Sequence, residues 1–298
     1  MFNFKHSLMC ISLVVLAAAA GQGSTIDIGS VGLWAGGKID LGGGVSVSGI
    51  AASGGAFSAS SGTNLTSIYT EKGVWIDKGS VVSGDVIANG KIETGSNVKI
   101  GGTVSAYSDF VLPKLDILEK TTFGTKDVYG KKDSTTTLLA GDYKGLSFSK
   151  DTTLNLSSGK YNIQSFWMDK DSVVNVNTSA GDVVLNIAGS FSTSRNVSFA
   201  NTGSGSLQIN IFGKDFWLGS DSSLSAVLKV FGGNIGADSS VNLSGQMYAT
   251  GNIWLGNNSQ FEYTPAIATA IPEPSTLALL AVAGFYGFIA KGRHPKHT

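Results

Sequence analysis

Four tryptophans occupy the same place in a short sequence pattern. Each lies between two apolar residues, as in Phe166-Trp-Met168 and Ile253-Trp-Leu255. If the flanking residues point into a core, strand alternation turns the indole ring outward. Flat apolar rings with a polar edge suit stacking against sugar rings. The pattern therefore predicts an exposed aromatic strip that contacts carbohydrate, formed by Trp75, Trp167, Trp217 and Trp254.

The interior of the chain lacks the residues on which most catalytic and metal sites depend. Cys10 is the only Cys, and the three His residues lie in the first ten or last five positions. Without Cys or His, the interior has no zinc finger, no Ser-His-Asp or Cys-His catalysis and no disulfide. Arg195 is the only Arg before Arg293, which argues against a nucleic-acid partner. We expect no cofactor and no metal.

An apolar-any-apolar triplet recurs along the chain and would position these tryptophans. Each triplet is followed by about five residues rich in Gly, Ser, Asp and Asn, then by a second apolar pair, as in Leu146-Ser-Phe148 with Leu154-Asn-Leu156. The interval between neighbouring copies varies along the chain. Two-residue alternation places each apolar pair on one face of a short strand.

A unit this short must stack on copies of itself to bury its apolar face. Repeats of about 20 residues with Gly, Asn and Asp turns are typical of a β-solenoid with parallel strands. We therefore predict an all-β, parallel β-helix (β-solenoid) over residues 24–263, followed by a linker over 264–270. A β-sandwich with closely spaced turns is the alternative.

One stretch, residues 103–145, interrupts the repeat. Pro113 begins an amphipathic pattern with Leu112, Leu115 and Leu118 on one face, which predicts a short helical insertion. The insertion would lie against the solenoid, or it would be a hinge between two halves. If it covers the tryptophans, they form a second small core. If they stay exposed, the rings lie about 9.6 Å apart with one repeat per coil, or about 4.8 Å apart with two.

Acidic residues recur at the turns. Asp151, Asp171, Asp221 and Asp238 each precede Ser or Thr and are assigned the same place in the repeat. Asp and Ser at such places bond to nearby backbone N–H groups and stabilise turns. A calcium-binding solenoid would show a denser Gly-Gly-x-Gly-x-Asp pattern. We expect a structural role for these carboxylates.

The N-terminus has the layout of a secretory signal peptide over residues 1–23. Lys5 and His6 precede an apolar stretch over residues 8–20, and Gly21 and Gly23 follow it. This apolar stretch is too short to span a bilayer comfortably, which argues against a first membrane helix.

The C-terminus combines a Pro-Glu-Pro motif, an uncharged run and a basic tail. Pro272, Glu273, Pro274 and Ser275 begin it, residues 275–290 carry no charge, and Lys291 and Arg293 follow. As a helix, the run would reach roughly 24 Å, just enough to span a thinned bilayer. The basic residues favour a cytoplasmic C-terminus, which leaves the preceding chain outside.

Residues 271–298 resemble the PEP-CTERM sorting signal. That resemblance implies recognition by exosortase, a membrane cysteine protease of Gram-negative bacteria that make exopolysaccharide, and cleavage near Pro272–Ser275. Residues 275–290 would cross the inner membrane transiently, and Lys291 and Arg293 would be the basic stop. Gly292 and Pro295 interrupt the basic cluster that the family usually has.

Two classes of function follow. The first is a non-catalytic protein of the cell surface or extracellular matrix, exported and associated with exopolysaccharide or biofilm; self-assembly into a surface fibre is a third possibility. The second is a β-helix carbohydrate-active enzyme, a polysaccharide lyase or glycosidase. Glycosidases need converging carboxylates, and the nearest local pair is Asp169 and Asp171. We expect the first class.

Overall fold

The chain forms a parallel β-solenoid, and the all-β prediction is confirmed. The computed structural model describes residues 26–116, 118 and 122–265. Within them, each strand pairs in parallel with strands of the neighbouring coils. The single described helix is a 3₁₀ turn, Ile28–Ser30, capped by the Asp27 carboxylate, which accepts a hydrogen bond from Gly29 N.

The strands are short because turn residues follow each apolar triplet. Their bounds in chain order are β1 Val31–Ala35, β2 Ile39–Leu41, β3 Ser46–Ser53, β4 Phe57–Ala59, β5 Asn64–Thr70, β6 Val74–Ile76, β7 Val81–Val82, β8 Val86–Ala88, β9 Ile92–Thr94, β10 Lys99–Ile100, β11 Val104–Ser105, β12 Val128–Gly130, β13 Thr135–Leu138 and β14 Gly141–Phe148. They continue as β15 Thr153–Ser157, β16 Gly159–Met168, β17 Ser172–Asn177, β18 Val183–Ile187, β19 Phe191–Thr193, β20 Val197–Thr202, β21 Leu207–Ile211, β22 Phe216–Leu218, β23 Ser223–Val230, β24 Ile235–Ala237, β25 Asn242–Ala249, β26 Ile253–Leu255 and β27 Gln260–Tyr263.

Strand pairing divides the solenoid into three faces. The Trp face holds β2, β4, β6, β9, β12, β19, β22, β24 and β26, with the second halves of β14 and β16. The hydroxyl face holds β7, β10, β13, β15, β17, β20 and β27 with the first parts of β3, β5, β23 and β25, and its outward residues are mostly Ser, Thr and Asn. The third face holds β1, β8, β11, β18 and β21 with the remaining parts of the long strands. We call it the strap face, because the segment that follows β11, described below, lies against it.

Each coil contains one copy of the apolar triplet. Coils differ in length, so that Phe57 pairs with Val74 on a short coil and Phe166 pairs with Phe191 on a long one. The inward residues form one continuous core of Val, Ile, Leu and Phe. Within it, the ring of Phe191 stacks between Phe166 and Phe216, with ring centroids 4.6 and 4.8 Å away.

A left-handed residue marks the turn between the Trp face and the hydroxyl face. Asp151, Asp171 and Asp221 have φ of 59°, 59° and 58° there. Asp and Asn tolerate this conformation better than most residues, so the structure explains why acidic residues recur at these turns. The assignment of Asp238 to this place is wrong, because Ser240, with φ of 61°, occupies it.

The order of coils in space differs from their order in the chain. The coils from β12 to β27 stack in sequence, and the N-terminal coils then continue beyond the last of them. Register partners Leu33 and Met247 join β1 to β25, and Ile39 and Ile253 join β2 to β26. The chain therefore returns from the β11 end of the solenoid to the β12 end through residues 106–127.

The predicted helical insertion is wrong in the described residues. Residues 106–116, which we name the strap, contain no helix, and they lie along the strap face after a bend at residues 106–107. Trp34 Nε1 donates a 2.8 Å hydrogen bond to the Pro113 carbonyl, and Leu112 N donates one of 2.8 Å to Glu71 Oε1. These bonds hold the backbone away from helical geometry. The interruption also ends earlier than predicted, because β12 resumes the solenoid at Val128.

The strap covers a small apolar cluster outside the main core. Leu112 and Leu115 pack against Trp34, Ala52 and Tyr248, whereas Leu118 is exposed. Burial raises the pKa of the Tyr248 phenol, and the nearby Tyr263 and Asp27 raise it further.

The predicted signal peptide (1–23) and the sorting segment (271–298) lie outside the described residues. Among the described residues, no helix has the length and apolar character to cross a membrane.

Candidate functional site

The four tryptophans lie in one outward column of the Trp face. Successive register partners give the column from one end of the solenoid to the other as Tyr129, Ser147, Trp167, Ser192, Trp217, Gly236, Trp254, Asp40, Ser58, Trp75 and Glu93. We call it the aromatic column. From Tyr129 to Trp75 it covers nine steps, or about 43 Å at roughly 4.8 Å per step.

The indole rings of the column point outward. The residues flanking each Trp in its triplet are buried, whereas Trp75, Trp167, Trp217 and Trp254 are 47%, 44%, 39% and 38% exposed. None of the described segments covers them, since the strap lies on another face. The rings are therefore open to a ligand.

Small side chains separate neighbouring aromatic rings for most of the column. Between Tyr129 and Trp254, every second position holds Ser147, Ser192 or Gly236. One repeat per coil thus puts the Cα atoms of successive aromatic residues about 9.6 Å apart.

The rings of Trp217 and Trp254 lie closer together than their Cα atoms, because the two side chains lean toward each other over Gly236. Their ring centroids are 5.5 Å apart and their planes differ by 20°. A Cβ at position 236 would clash with Cε3 and Cζ3 of Trp217. Only glycine leaves room for this contact, so the two rings form a stacked pair while Trp75 and Trp167 remain single.

An open groove of about 310 Å³ lies beside the stacked pair. Trp217, Gly236 and Trp254 form its apolar wall. Its polar wall comes from the residues that directly precede the triplets, namely Lys38, Asp215, Asn234 and Asn252. Asp40, the next position of the aromatic column, closes one end. The groove has the size of a small ligand site.

The polar wall is held in place by a ladder of amide hydrogen bonds. Asn234 donates to Asp215 Oδ1 through its backbone N and its Nδ2, at 2.8 and 2.9 Å. Asn252 donates to Asn234 Oδ1 in the same way, at 2.8 and 3.0 Å. Lys38 N then donates to Asn252 Oδ1 at 2.9 Å. Four coils thus present their polar groups in fixed positions.

The groove carries a net negative charge. Lys38 Nζ is paired with Asp40 Oδ2, which leaves Asp215 without a cationic partner among the described residues. Its Oδ2 accepts no hydrogen bond from them, and the residue is exposed. Lys38, Asp40 and Asp215 together contribute a formal charge of −1.

The residues predicted for processing are not described. Pro272, Glu273, Pro274 and Ser275 and the basic residues Lys291 and Arg293 all lie in the segment beyond residue 265. Within the described residues, no three His, Cys, Asp or Glu side chains gather as a metal site.

Reasoning from the sequence missed three parts of the site. Tyr129 extends the aromatic column, and the triplet pattern of Val128-Tyr-Gly130 was a usable signal for it. The amide ladder was also missed, although Asp215, Asn234 and Asn252 all directly precede a triplet. Nothing in the sequence indicated that Trp217 and Trp254 would stack.

No protein-family model and no curated protein matches the chain. Among solved structures, the fold is similar to an ice binding protein from an Antarctic bacterium of the Flavobacteriaceae, at 12% identity and a TM-score of 0.30. The match covers 79% of this chain and 82% of that one. A likeness this distant carries no argument about function.

Proposed function

We propose that this protein is a non-catalytic component of the cell surface or extracellular matrix that binds exopolysaccharide along its aromatic column. The observation that carries the proposal is the line of exposed rings. Aromatic rings spaced along about 43 Å fit an extended polymer better than a single small molecule. Several weak stacking contacts on one rigid rod add up to strong retention of a polymer.

The proposal includes export and processing. The signal-peptide layout and the likeness of residues 271–298 to a PEP-CTERM signal support passage through the inner membrane and cleavage by exosortase near Pro272–Ser275. Mass spectrometry of the C-terminus of the extracellular protein tests this directly. We expect the mature chain to end near the motif, and a strain without exosortase to retain Thr298.

Binding is tested by removing the two single rings. The Trp75→Ala and Trp167→Ala variants should each lose about 1 kcal/mol of stacking, or roughly fivefold in affinity for the exopolysaccharide of the producing organism. The double variant should lose about 30-fold if the effects add. Affinity electrophoresis in gels containing the polymer measures the change.

Tyr107→Ala is the matched control, because Tyr107 is exposed but lies outside the column. Its retention should equal that of the unmodified protein. Unchanged retention of the double variant, with an unchanged unfolding midpoint, would remove the polysaccharide-binding proposal. Depolymerisation of the purified polymer by the protein would replace it with an enzymatic one.

A further inference from the structure

The groove beside Trp217 and Trp254 differs from the rest of the aromatic column. Elsewhere the column offers one ring on a surface without a polar wall of comparable order. Here aromatic rings and hydrogen-bonding groups together line a space of about 310 Å³. A sugar unit has the same two-sided character, with apolar C–H faces and hydroxyl groups around its edge.

The polar wall can donate and accept at the same time. Each Asn side chain has two N–H donors, and Asn234 and Asn252 each use one of them within the ladder. The second donor of each amide is available, as is Asp215 Oδ2. Vicinal hydroxyls of a sugar, which both donate and accept, match this arrangement.

The charge of the groove selects among sugars. The one ammonium group of its lining, on Lys38, is paired with Asp40, so Asp215 is the one carboxylate of the lining without an ionic partner. A uronate or another acidic sugar would bring a second negative charge close to it, and like charges at short range repel. A neutral hydroxyl or the ammonium group of an amino sugar would instead donate to Asp215, in a charge-assisted hydrogen bond.

We propose that this groove is the anchoring subsite of the polymer-binding column and that it takes a sugar unit without an acid group, either a neutral hexose or an amino sugar. The inference rests on the proposed function, because it assumes that the column binds a glycan. It adds the class of sugar that is bound, the residues that bind it and the position of the subsite in the column.

Three hexasaccharides test the selectivity by isothermal titration calorimetry. Cellohexaose is neutral, hexaglucosamine is cationic and hexagalacturonate is acidic. We expect the neutral and cationic hexamers to bind at least tenfold more tightly than the acidic one. Asp215→Asn keeps an acceptor for Asn234 but removes the charge, and it should reduce that preference to less than threefold.

Asp151→Asn is the matched control. Asp151 is an acidic residue at a left-handed turn outside the groove, and Asn196 adopts the same conformation two coils away. The control variant should keep the full preference of the unmodified protein. A Gly236→Ser variant, which fills the space under Trp217, should weaken binding of all three hexamers.

The outcomes separate this inference from the proposed function. Equal or tighter binding of hexagalacturonate, or an unchanged preference in Asp215→Asn, overturns the subsite. If the Trp75 and Trp167 variants still lose retention of the exopolysaccharide, the polymer-binding column stands without it. If no hexamer binds and the exopolysaccharide is not retained, both the subsite and the polymer-binding function are contradicted.

Discussion

Replacing Gly236 with Ala should separate Trp217 from Trp254. The added Cβ would lie 2.3 Å from Cε3 and from Cζ3 of the Trp217 ring, so that ring must swing away. The stack at 5.5 Å cannot survive this movement. The substitution therefore tests whether glycine at this position holds the pair together.

The effect on stability should be small, because two terms oppose each other. Loss of an aromatic stack costs about 0.5–1.5 kcal/mol. Replacing glycine by alanine recovers about 0.4–1 kcal/mol through the unfolded chain, when the backbone conformation is compatible. The free energy of unfolding should change by less than about 1 kcal/mol, so an unfolding midpoint alone does not report on the pair.

Spectroscopy and a double-mutant cycle do report on it. Two stacked indoles give an exciton couplet in circular dichroism, which Gly236→Ala should remove. A cycle of Trp217→Ala and Trp254→Ala should show a coupling of about 1 kcal/mol in the unmodified protein and near zero in the Gly236→Ala background. Ser192→Ala, in the coil next to Trp217 on the side away from Gly236, is the matched control and should leave both signals unchanged. A couplet that persists in Gly236→Ala would refute the reasoning.

Three further predictions concern the core and the strap. Phe191→Ala should lower the free energy of unfolding by about 3–5 kcal/mol, measured by denaturant titration, because its three phenyl neighbours, Phe166, Phe199 and Phe216, would face a cavity. Trp34→Phe should cost about 1–2 kcal/mol and speed proteolysis within the strap, residues 106–116, because the Pro113 carbonyl loses its donor. The raised pKa of buried Tyr248 means that the folded state keeps the phenol proton after the unfolded chain begins to lose it. Stability should therefore fall above about pH 10, by up to about 1.4 kcal/mol per pH unit. Tyr248→Phe should reduce this slope.

The outward direction of the tryptophans was predictable because it depends on local alternation alone. In Phe166-Trp167-Met168, two apolar neighbours fix which side is inside, whatever the neighbouring coil is. The left-handed turns at Asp151 and Asp171 follow from local preference in the same way.

The order of the coils was not predictable, because all coils present the same apolar pattern. Ile39 can pack on any coil that has an apolar residue at the equivalent position of its triplet. No local signal distinguishes Ile253 from the equivalent residues of the other coils. The choice depends on contacts between opposite ends of the described chain.

The strap shows how a helical pattern can mislead in a short segment. Leucines three residues apart fit a helix, but isolated helices of fewer than about 12 residues are marginal in water. Here tertiary bonds from Trp34 and Glu71 decide the conformation. The strap also places Leu112 and Leu115 on the same apolar cluster.

The reordered coils bring the beginning and the end of the described chain together at the waist of the rod. Tyr263 Oη donates a 2.6 Å hydrogen bond to the Gly29 carbonyl, and coils extend to either side of that point. The described chain therefore begins and ends on the flank of the rod and not at its tips. A tether attached after Tyr263 would hold the rod by its side, with both tips unattached.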